Sequence, residues 1–370
     1  VGVCIATSGP GATNLVTGIA TAFMDSIPVV AITGQVDTKL LGRDAFQEMD
    51  ILDVTMPVTK HNYKVKDPKK LIPTLREAFH LARSGRPGPV LVDIPRDLFF
   101  TDIEYPPFVE NAKKPAKPDA DFLICAAEAA EVICQAKKTV LIAGGGVISA
   151  EASRELIAFA EKFHLPVCNT LMGIGGFPRS HPQSLGFAGM HGKKAANNAI
   201  AAADLVIAIG SRFGDRQTGN LDKYTTNTKF IHLDIDPAEI DKNIASSIGL
   251  AGNMKTILSL LMQREAVTDL APWWKQIHAW QEQYAYDYNV TQLTLPWVMH
   301  HIAQATANKP VAFATDVGQH QMWAALHLRV ETPRTWLTSG GLGTMGFGLP
   351  AAMGAQIAYG KSRRVIHIAG

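Results

Sequence analysis

The chain has 370 residues, of which 47% are hydrophobic and 18% are charged, with 31 glycines and 21 prolines. This composition is too apolar for a disordered chain and, at about 150 residues per domain, it predicts a globular protein of two or three domains. The formal net charge of +2 gives no reason to expect nucleic acid or a membrane surface as a partner. No apolar run approaches the roughly 18 residues that a transmembrane helix needs.

None of the four cysteines forms a C-x-x-C pair with another. This spacing disfavours a zinc ribbon and a disulfide scaffold, and it favours buried thiols in a reducing compartment. We therefore expect a cytoplasmic protein, or an organellar one in a eukaryote. Both ends of the sequence, Val1–Ala6 and Arg364–Gly370, read as strands, and we interpret the chain as a piece of a longer protein.

Short apolar runs bounded by glycine or proline alternate with Ala- and Leu-rich stretches of helical character. The runs that predict strands are Pro28–Thr33, Pro89–Asp93, Thr139–Ala143, Asp204–Ile209 and Lys229–Asp234. Because they are apolar throughout rather than alternating, they are typical of parallel sheets that helices cover on both faces. The alternation of strand and helix predicts an α/β fold with right-handed crossovers.

Two connecting segments divide the sequence. Tyr105–Pro118 carries four prolines, which exclude a helix or a central strand. A softer boundary follows the aromatic, helix-like segment Ala271–Tyr288. We therefore predict three consecutive parallel-sheet α/β domains at 1–105, 119–265 and 290–370, with the first and the last truncated.

In the first predicted domain, Thr7–Asn14 lies between a strand and a helix. Backbone N–H groups at such a junction suit an anion or a flat polar ring, although the same turn occurs in many folds without a ligand. Further on, three carboxylates lie close together, at Asp44, Glu48 and Asp50. Their spacing is not that of a calcium loop, and such a group is more often a solvated face.

In the second predicted domain, Gly144–Gly146 follows a strand and precedes a predicted helix, Ala150–Lys162. The run is close to the dinucleotide fingerprint, but Ser149 replaces its third glycine and no acid stands at the next strand end, which disfavours a standard NAD site. Two later strand ends, Gly210–Arg216 and Asp234–Pro237, combine arginines with acids. Arginines suit phosphates and acids suit ribose hydroxyls, so these segments indicate a dinucleotide site.

In the third predicted domain, Thr315–His320 follows a strand, and Ser339–Gly348 precedes a helix at Leu349–Tyr359. Closely spaced glycines let a backbone pass near a ligand. A flexible turn is the alternative, but Leu342 and Met345 are too apolar for a plain linker. We therefore predict a diphosphate cradle.

In their order along the chain, these motifs resemble the catalytic large subunits of the acetolactate synthase (acetohydroxyacid synthase) family, within the thiamine-diphosphate-dependent enzymes. The resemblance extends over essentially the whole chain. The matching segments are Thr7–Asn14, Thr33–Val36, Asp44–Glu48, Thr59–Asn62, Ser84–Asp93, Gly189–Gly192, Gly318–Trp323 and Ser339–Gly346.

The resemblance implies a pyrimidine-binding domain, a central FAD-binding domain and a diphosphate-binding domain. It implies that one pyruvate is decarboxylated and condensed with a second pyruvate or with 2-ketobutyrate, in branched-chain amino-acid biosynthesis. The implied cofactors are thiamine diphosphate, Mg²⁺ and an FAD that the reaction neither reduces nor oxidises. The implied partners are further copies of the chain, in a homodimer or homotetramer, and a regulatory small subunit, without nucleic acid or membrane.

By the family pattern, Phe46 and Gln47 reach the active site from a neighbouring subunit, and Met345 is the apolar wedge that bends thiamine diphosphate. The residues implied to hold that cofactor are Val317, Gly318, Gln319, His320, Gly343 and Met345. The residues implied to contact FAD are Arg86, Gly144, Gly145, Gly146, Thr170, Leu171, Gly189, Met190, His191, Gly210, Arg212, Arg216, Asp234 and Ile235.

No metal ligand is assigned, because the resemblance implies Mg²⁺ ligands after Gly370 and an activating glutamate before Val1. The 370-residue chain by itself is therefore expected to be inactive. Three positions depart from the family pattern: Asp37 stands where proline is usual, and Gly214 and Asn253 stand where acids are usual. The alternatives are another thiamine-diphosphate and FAD enzyme, such as pyruvate oxidase or glyoxylate carboligase, and a non-catalytic FAD-binding fragment.

Overall fold

The computed structural model describes residues 1–105, 107, 118–224, 228–265, 268–289 and 292–370. The predicted linker therefore lies almost entirely outside the described residues. In the described part, the strands form three sheets whose pairs are all parallel, which confirms the predicted α/β class. None of the helices described is both long and apolar enough to cross a bilayer.

The chain forms two compact units, Val1–Ala116 with Gly340–Thr344, and Lys117–Ser339 with Met345–Gly370. The strands of each sheet come from within one of the three ranges predicted as domains. The exact boundaries of those domains stay a prediction.

The first unit contains a four-stranded sheet in the order β1-β2-β4-β3. Its elements in chain order are β1 Gly2–Ala6, α1 Pro10–Thr13, α2 Val16–Met24, β2 Val29–Gln35, α3 Ile51–Thr55, β3 His61–Lys64, α4 Leu71–Arg83 and β4 Val90–Pro95, with 3₁₀ turns at Thr38–Leu40, Met56–Val58, Pro68–Lys70 and Arg96–Phe100. Val30 and Val92 of the two central strands are fully buried, and Ala78 and Ala82 of α4 pack in the same core. Small residues on α4 let the helix lie close to the sheet.

The second unit contains a six-stranded sheet in the order β10-β9-β8-β5-β6-β7. The elements that build it are α5 Ala120–Gln135, β5 Thr139–Ala143, α6 Gly145–Ser149, α7 Ser153–Lys162, β6 Val167–Asn169, β7 Ser184–Phe187, α8 Lys194–Ala202, β8 Leu205–Ile209, α9 Asp215–Thr218, α10 Leu221–Tyr224, β9 Lys229–Asp234, β10 Ile248–Ala251, α11 Met254–Leu261 and α12 Ala271–Gln283, with 3₁₀ turns at Leu171–Gly173 and Pro237–Glu239.

Both faces of this sheet are covered, as its apolar strands predict. Along β5, Leu141 belongs to the core on one face, together with α5, α7 and α11. Its neighbours Val140 and Ile142 belong to the core on the other face, together with α8 and α12. All three side chains are fully buried. A strand with two buried faces favours apolar residues along most of its length, which is why Val140–Ala143 of β5 do not alternate with polar residues.

The second unit also contains a three-stranded sheet in the order β12-β11-β13. Its elements are α13 Leu295–Ala305, β11 Val311–Thr315, α14 Gln319–His327, β12 Trp336–Leu337, α15 Gly348–Tyr359 and β13 Arg364–Ile368. Phe313 of β11 lies in a core with Met299 of α13 and Ala324 of α14. This arrangement places the start of α14 immediately beyond the carboxyl end of β11.

Two predicted helix boundaries are wrong. The helix expected at Ala150–Lys162 is preceded by a separate helix, α6, which begins directly after Gly144. A side chain at Gly144 would overlap the carbonyl oxygen of Gly210, so the glycine allows the helix to start against a second loop. The aromatic segment predicted to continue to Tyr288 ends its helix at Gln283.

We expect Gly144→Ala to lower the free energy of unfolding by roughly 1–3 kcal/mol, because its methyl group would force the Gly210 loop away. Gly214→Ala is the matched control. Gly214 has a φ of −65° and no atom within 4 Å of its potential Cβ, so alanine there should be neutral or stabilising by up to about 1 kcal/mol. Denaturant unfolding of both variants measures the difference, and equal stabilities would contradict this account of Gly144.

Candidate functional site

The loops that follow the central strands of the six-stranded sheet meet at its carboxyl edge. The Gly144 N–H donates to the Ile209 carbonyl at 2.8 Å, and the Gly146 N–H donates to the Gly210 carbonyl at 3.1 Å. Gly210 has a φ of +57°, a conformation that glycine adopts at little cost. The predicted residues Gly144, Gly145, Gly146 and Gly210 therefore form one continuous backbone surface.

The loops after β7 and β8 also meet at this edge. The Met190 N–H donates to the Arg216 carbonyl at 2.8 Å. The Asn197 carboxamide accepts from the Gly189 N–H at 3.0 Å and donates to the Gly189 carbonyl at 2.8 Å. Asn197 thus clamps the loop that carries the predicted residues Gly189, Met190 and His191. Sequence reasoning missed Asn197, which lies among the alanines of α8 without a local signal.

Charged groups lie at the same edge. Asp234 ends β9 and is only 6% exposed; burial raises the pKa of its carboxyl, although the group accepts the Asp236 N–H at 3.0 Å. The Arg216 side chain is exposed and approaches the Met190 sulfur at 3.4 Å. Arg212 lies three residues after the end of β8, and Thr170 and Leu171 follow β6. These side chains fit a dinucleotide, because the guanidinium groups of Arg212 and Arg216 suit phosphates and the carboxylate of Asp234 suits hydroxyl groups.

A second candidate site lies at the carboxyl ends of β11 and β13. His320, in the first turn of α14, is 8% exposed, and its Nε2 finds no hydrogen-bond partner among the described residues. Gly318 is the N-cap residue of α14 and has a φ of +151°. As a glycine it has no side chain to accept a hydrogen bond from the first turn of the helix. The Nε2 atom of His367, next to Gly348, is also buried and without a partner there. A helix N-terminus beside two buried imidazole nitrogens without a partner among the described residues fits an anion such as a diphosphate.

Asp316 ties a glycine-rich segment to this site. Its carboxylate accepts the Val317 N–H at 2.7 Å, and each of its oxygens lies 3.0 Å from the Gly346 nitrogen. These bonds, led by that from Val317, hold the pKa of Asp316 below its usual range. Met345, beside Gly346, is 80% exposed. The sequence signal for Asp316 was its place directly after a strand, but nothing local indicates that Gly346 is its partner.

Four predicted site residues belong to the first unit and are described within it. Phe46 is 88% exposed, and Gln47 has a φ of +61°. The Arg86 Nε donates to the Ser26 hydroxyl at 2.9 Å. Gly343 has a φ of +68°.

Glu48, one of the three acids expected to form a solvated face, also makes hydrogen bonds within its own loop. Its carboxylate accepts the backbone N–H groups of Gly42, Arg43 and Ala45 at 2.5, 3.3 and 3.1 Å. These bonds, led by that from Gly42, hold the pKa of Glu48 below its usual range. The acid therefore shapes its own loop.

A buried polar network lies at the ends of β2 and β4. The fully buried Asp93 carboxylate accepts the Thr33 hydroxyl at 2.7 Å and the Gln35 amide at 3.1 Å. The same Gln35 nitrogen donates to the Met49 carbonyl at 2.7 Å. Burial is the main cause that raises the pKa of Asp93 to about 6. Sequence reasoning read this aspartate only as part of a strand motif.

The raised pKa of Asp93, about 6 against a usual value near 4, predicts a pH-dependent stability. The folded protein holds this proton more tightly than the unfolded chain, so the free energy of unfolding should fall by about 3 kcal/mol as pH rises from about 4 to about 6. Asp93→Asn, which cannot ionise, should remove this slope. Urea unfolding at several pH values compares the two proteins, and parallel curves would contradict the prediction.

The described residues do not bring together three or more His, Cys, Asp or Glu side chains that could hold a metal ion. We therefore derive no step through Mg²⁺.

Three family models match the chain, in order. They are described as the N-terminal TPP binding domain, the central domain and the C-terminal TPP binding domain of thiamine pyrophosphate enzymes, and they match residues 1–54, 126–261 and 316–370. The chain belongs to the thiamine pyrophosphate enzyme family.

Within that family, the chain is similar to acetolactate synthases. It is 48% identical to the acetolactate synthase of Mycobacterium bovis, over 97% of this chain and 59% of the relative. The large subunit from Corynebacterium glutamicum is 47% identical, over 96% and 58%, and that from Haemophilus influenzae is 45% identical, over 97% and 64%. The chain spans about three fifths of the length of the curated relatives it matches.

Proposed function

We propose that this protein is the catalytic subunit of an acetolactate synthase. The reaction condenses two pyruvates to 2-acetolactate with loss of carbon dioxide, or pyruvate with 2-ketobutyrate to 2-aceto-2-hydroxybutyrate. The observation that carries the proposal is the buried, unpartnered His320 Nε2 at the start of α14, in a segment that the C-terminal TPP binding model covers. Identities of 45–48% to acetolactate synthases support the choice of substrates.

Thiamine diphosphate would supply the group that stabilises negative charge on the donor carbon after decarboxylation. In the proposal, Val317, Gly318, Gln319 and His320 bind its diphosphate. Their contribution is the helix N-terminus at Gly318 and the His320 imidazole, whose buried Nε2 has no partner among the described residues. Gly343 leaves room for close approach of the backbone.

Met345 is proposed to support the cofactor from its apolar side. Its thioether is 80% exposed, so it fills no core that the structure describes within its unit. Asp316 holds the neighbouring Gly346 N–H at 3.0 Å, which restricts the backbone that carries Met345. A restrained apolar side chain at this position favours one cofactor conformation over others.

FAD is proposed to bind at the carboxyl edge of the six-stranded sheet. The glycine surface of Gly144–Gly146 and Gly210 supports this assignment, together with Arg212, Arg216 and Asp234 at neighbouring strand ends. Thr170, Leu171, Gly189, Met190, His191 and Ile235 follow strands of the same sheet and are proposed as further contacts. The family resemblance adds Arg86 to the proposed contacts. This flavin takes no part in electron transfer in the proposed reaction.

We further propose that the protein works as a homodimer or homotetramer with Mg²⁺ as a cofactor, and that a regulatory small subunit binds it. Phe46, which is 88% exposed in the single chain, supports a role for Phe46 and Gln47 in the active site of a neighbouring subunit. The names of two relatives, which are large subunits, support the small subunit. Four free cysteines support a reducing compartment, the cytoplasm or an organelle.

The proposed activity is tested with the whole protein, pyruvate, thiamine diphosphate, Mg²⁺ and FAD. We expect a product that acid converts to acetoin, formed only when thiamine diphosphate is present, while the flavin stays oxidised and no peroxide forms. Peroxide without acetoin would identify a pyruvate oxidase, and consumption of glyoxylate instead of pyruvate a glyoxylate carboligase. Flavin binding without thiamine-dependent turnover would leave only a flavin-binding function.

Met345→Ala should lower kcat roughly 10- to 100-fold with little change in the affinity for thiamine diphosphate, because a reactive geometry is lost rather than a binding contact. Steady-state kinetics and cofactor titration separate the two quantities. Met353→Ala removes the same side chain from an exposed position of α15, 59% accessible, and should leave both unchanged. Equal losses of affinity and turnover in Met345→Ala would mark it as an ordinary contact.

A further inference from the structure

The loop that carries Phe46 and Gln47 holds an unfavourable backbone conformation. Asp44 has a φ of +52° and Gln47 a φ of +61°, both in the left-handed region that residues with a Cβ rarely adopt. The segment Leu41–Met49 is neither helix nor strand. Such a conformation persists only where surrounding contacts determine it.

Glu48 supplies the first of these contacts from within the loop. One of its carboxylate oxygens accepts the Gly42 N–H, and the other accepts those of Arg43 and Ala45. The carboxylate thereby ties the start of the loop to its end. Hydrogen bonds donated to an ionised acceptor are about twice as strong as neutral ones.

Two further contacts hold the loop from outside. A Cβ at Gly9 would lie 2.8 Å from the Gln47 carbonyl oxygen, so the backbone of Gln47 rests directly on that glycine. The Gln35 amide donates to the Met49 carbonyl at 2.7 Å and is itself held by the buried Asp93. Gly9 and the Gln35 amide thus contact the two residues that flank Glu48.

We propose that Glu48 is a positioning residue that presents Phe46 and Gln47 in the conformation required at the active site. This role rests on the proposed function. Three backbone N–H groups of the loop donate to the one carboxylate of Glu48. In the resulting conformation the aromatic side chain of Phe46 is 88% exposed. Exposure of Phe46 gains nothing for the isolated fold, whereas a loop ordered in advance lowers the entropy cost of productive binding.

The test uses Glu48→Ala, Glu48→Gln and the control Asp53→Asn in the whole protein. Asp53 is an exposed acid in the first turn of α3, close in sequence to the loop. Two measurements are made: hydrogen exchange of the segment 41–49, and kcat with KM for pyruvate. Denaturant unfolding checks that each variant remains folded.

We expect Glu48→Ala to speed exchange in the segment 41–49 alone and to lower kcat roughly 10- to 100-fold, with KM and unfolding nearly unchanged. Glu48→Gln keeps the length and one acceptor oxygen, so it should recover part of kcat. Asp53→Asn should match the wild type. Unchanged exchange, or faster exchange with an unchanged kcat, would overturn the positioning role.

A variant whose kcat loss follows a fall in overall stability would also overturn it, because that result assigns Glu48 to folding. If the wild-type protein forms no acetolactate, the proposed function itself fails and this role fails with it. The two failures are distinguishable. Failure of the proposed function is visible in the wild-type protein alone, whereas failure of the positioning role is visible only in the Glu48 variants.

Discussion

Parallel strand pairing is the constraint on which the rest of this structure depends. In a parallel sheet all strands end at the same edge, so every loop that follows a strand starts there. In the second unit, this geometry places Gly144, Gly210 and Asp234 at one edge, although the residues are far apart in sequence. The same rule places Asp316 and the end of β13 together at the smaller sheet.

Side chains that bind backbone amides then shape these loops. Asp316 holds Gly346, Asn197 holds Gly189, and Glu48 holds three amides of its own loop. Each bond satisfies backbone groups that neither a helix nor a strand provides for. Glycines allow these loops to pack closely, because at Gly144 and Gly9 a second loop occupies the space that a side chain would fill.

The candidate sites reduce the stability of the isolated chain. A buried polar atom without a partner costs about 1–3 kcal/mol, and His320 and His367 each present one near the start of α14. Phe46 and Met345 leave most of their apolar surface in water. The fold tolerates these costs because its cores are separate from them: the six-stranded sheet is buried on both faces, away from its carboxyl edge. An anion at His320 would offset part of the cost.

The sequence by itself determined the fold class, because burial on both faces favours strands that are apolar along most of their length, as in Val140–Ala143. Thr139–Ala143 and Lys229–Asp234 were predicted with the bounds that the structure has. It also indicated which segments carry the candidate sites, because glycine-rich turns and charged strand ends are local features. Their proposed ligands and roles came from resemblance and remain proposals.

Only the tertiary structure decided how these segments are held. The start of α6 at Gly144 depends on the Gly210 loop, and the partner of Asp316 is Gly346, in another part of the sequence. Glu48 was indistinguishable from a solvated acid until the loop conformation brought three amides to it. The burial of Asp93 follows from its place between β2 and β3. The local sequence indicates secondary-structure propensity and which side chains are apolar enough to be buried. Contacts between distant segments depend instead on which strand ends the sheet places next to one another.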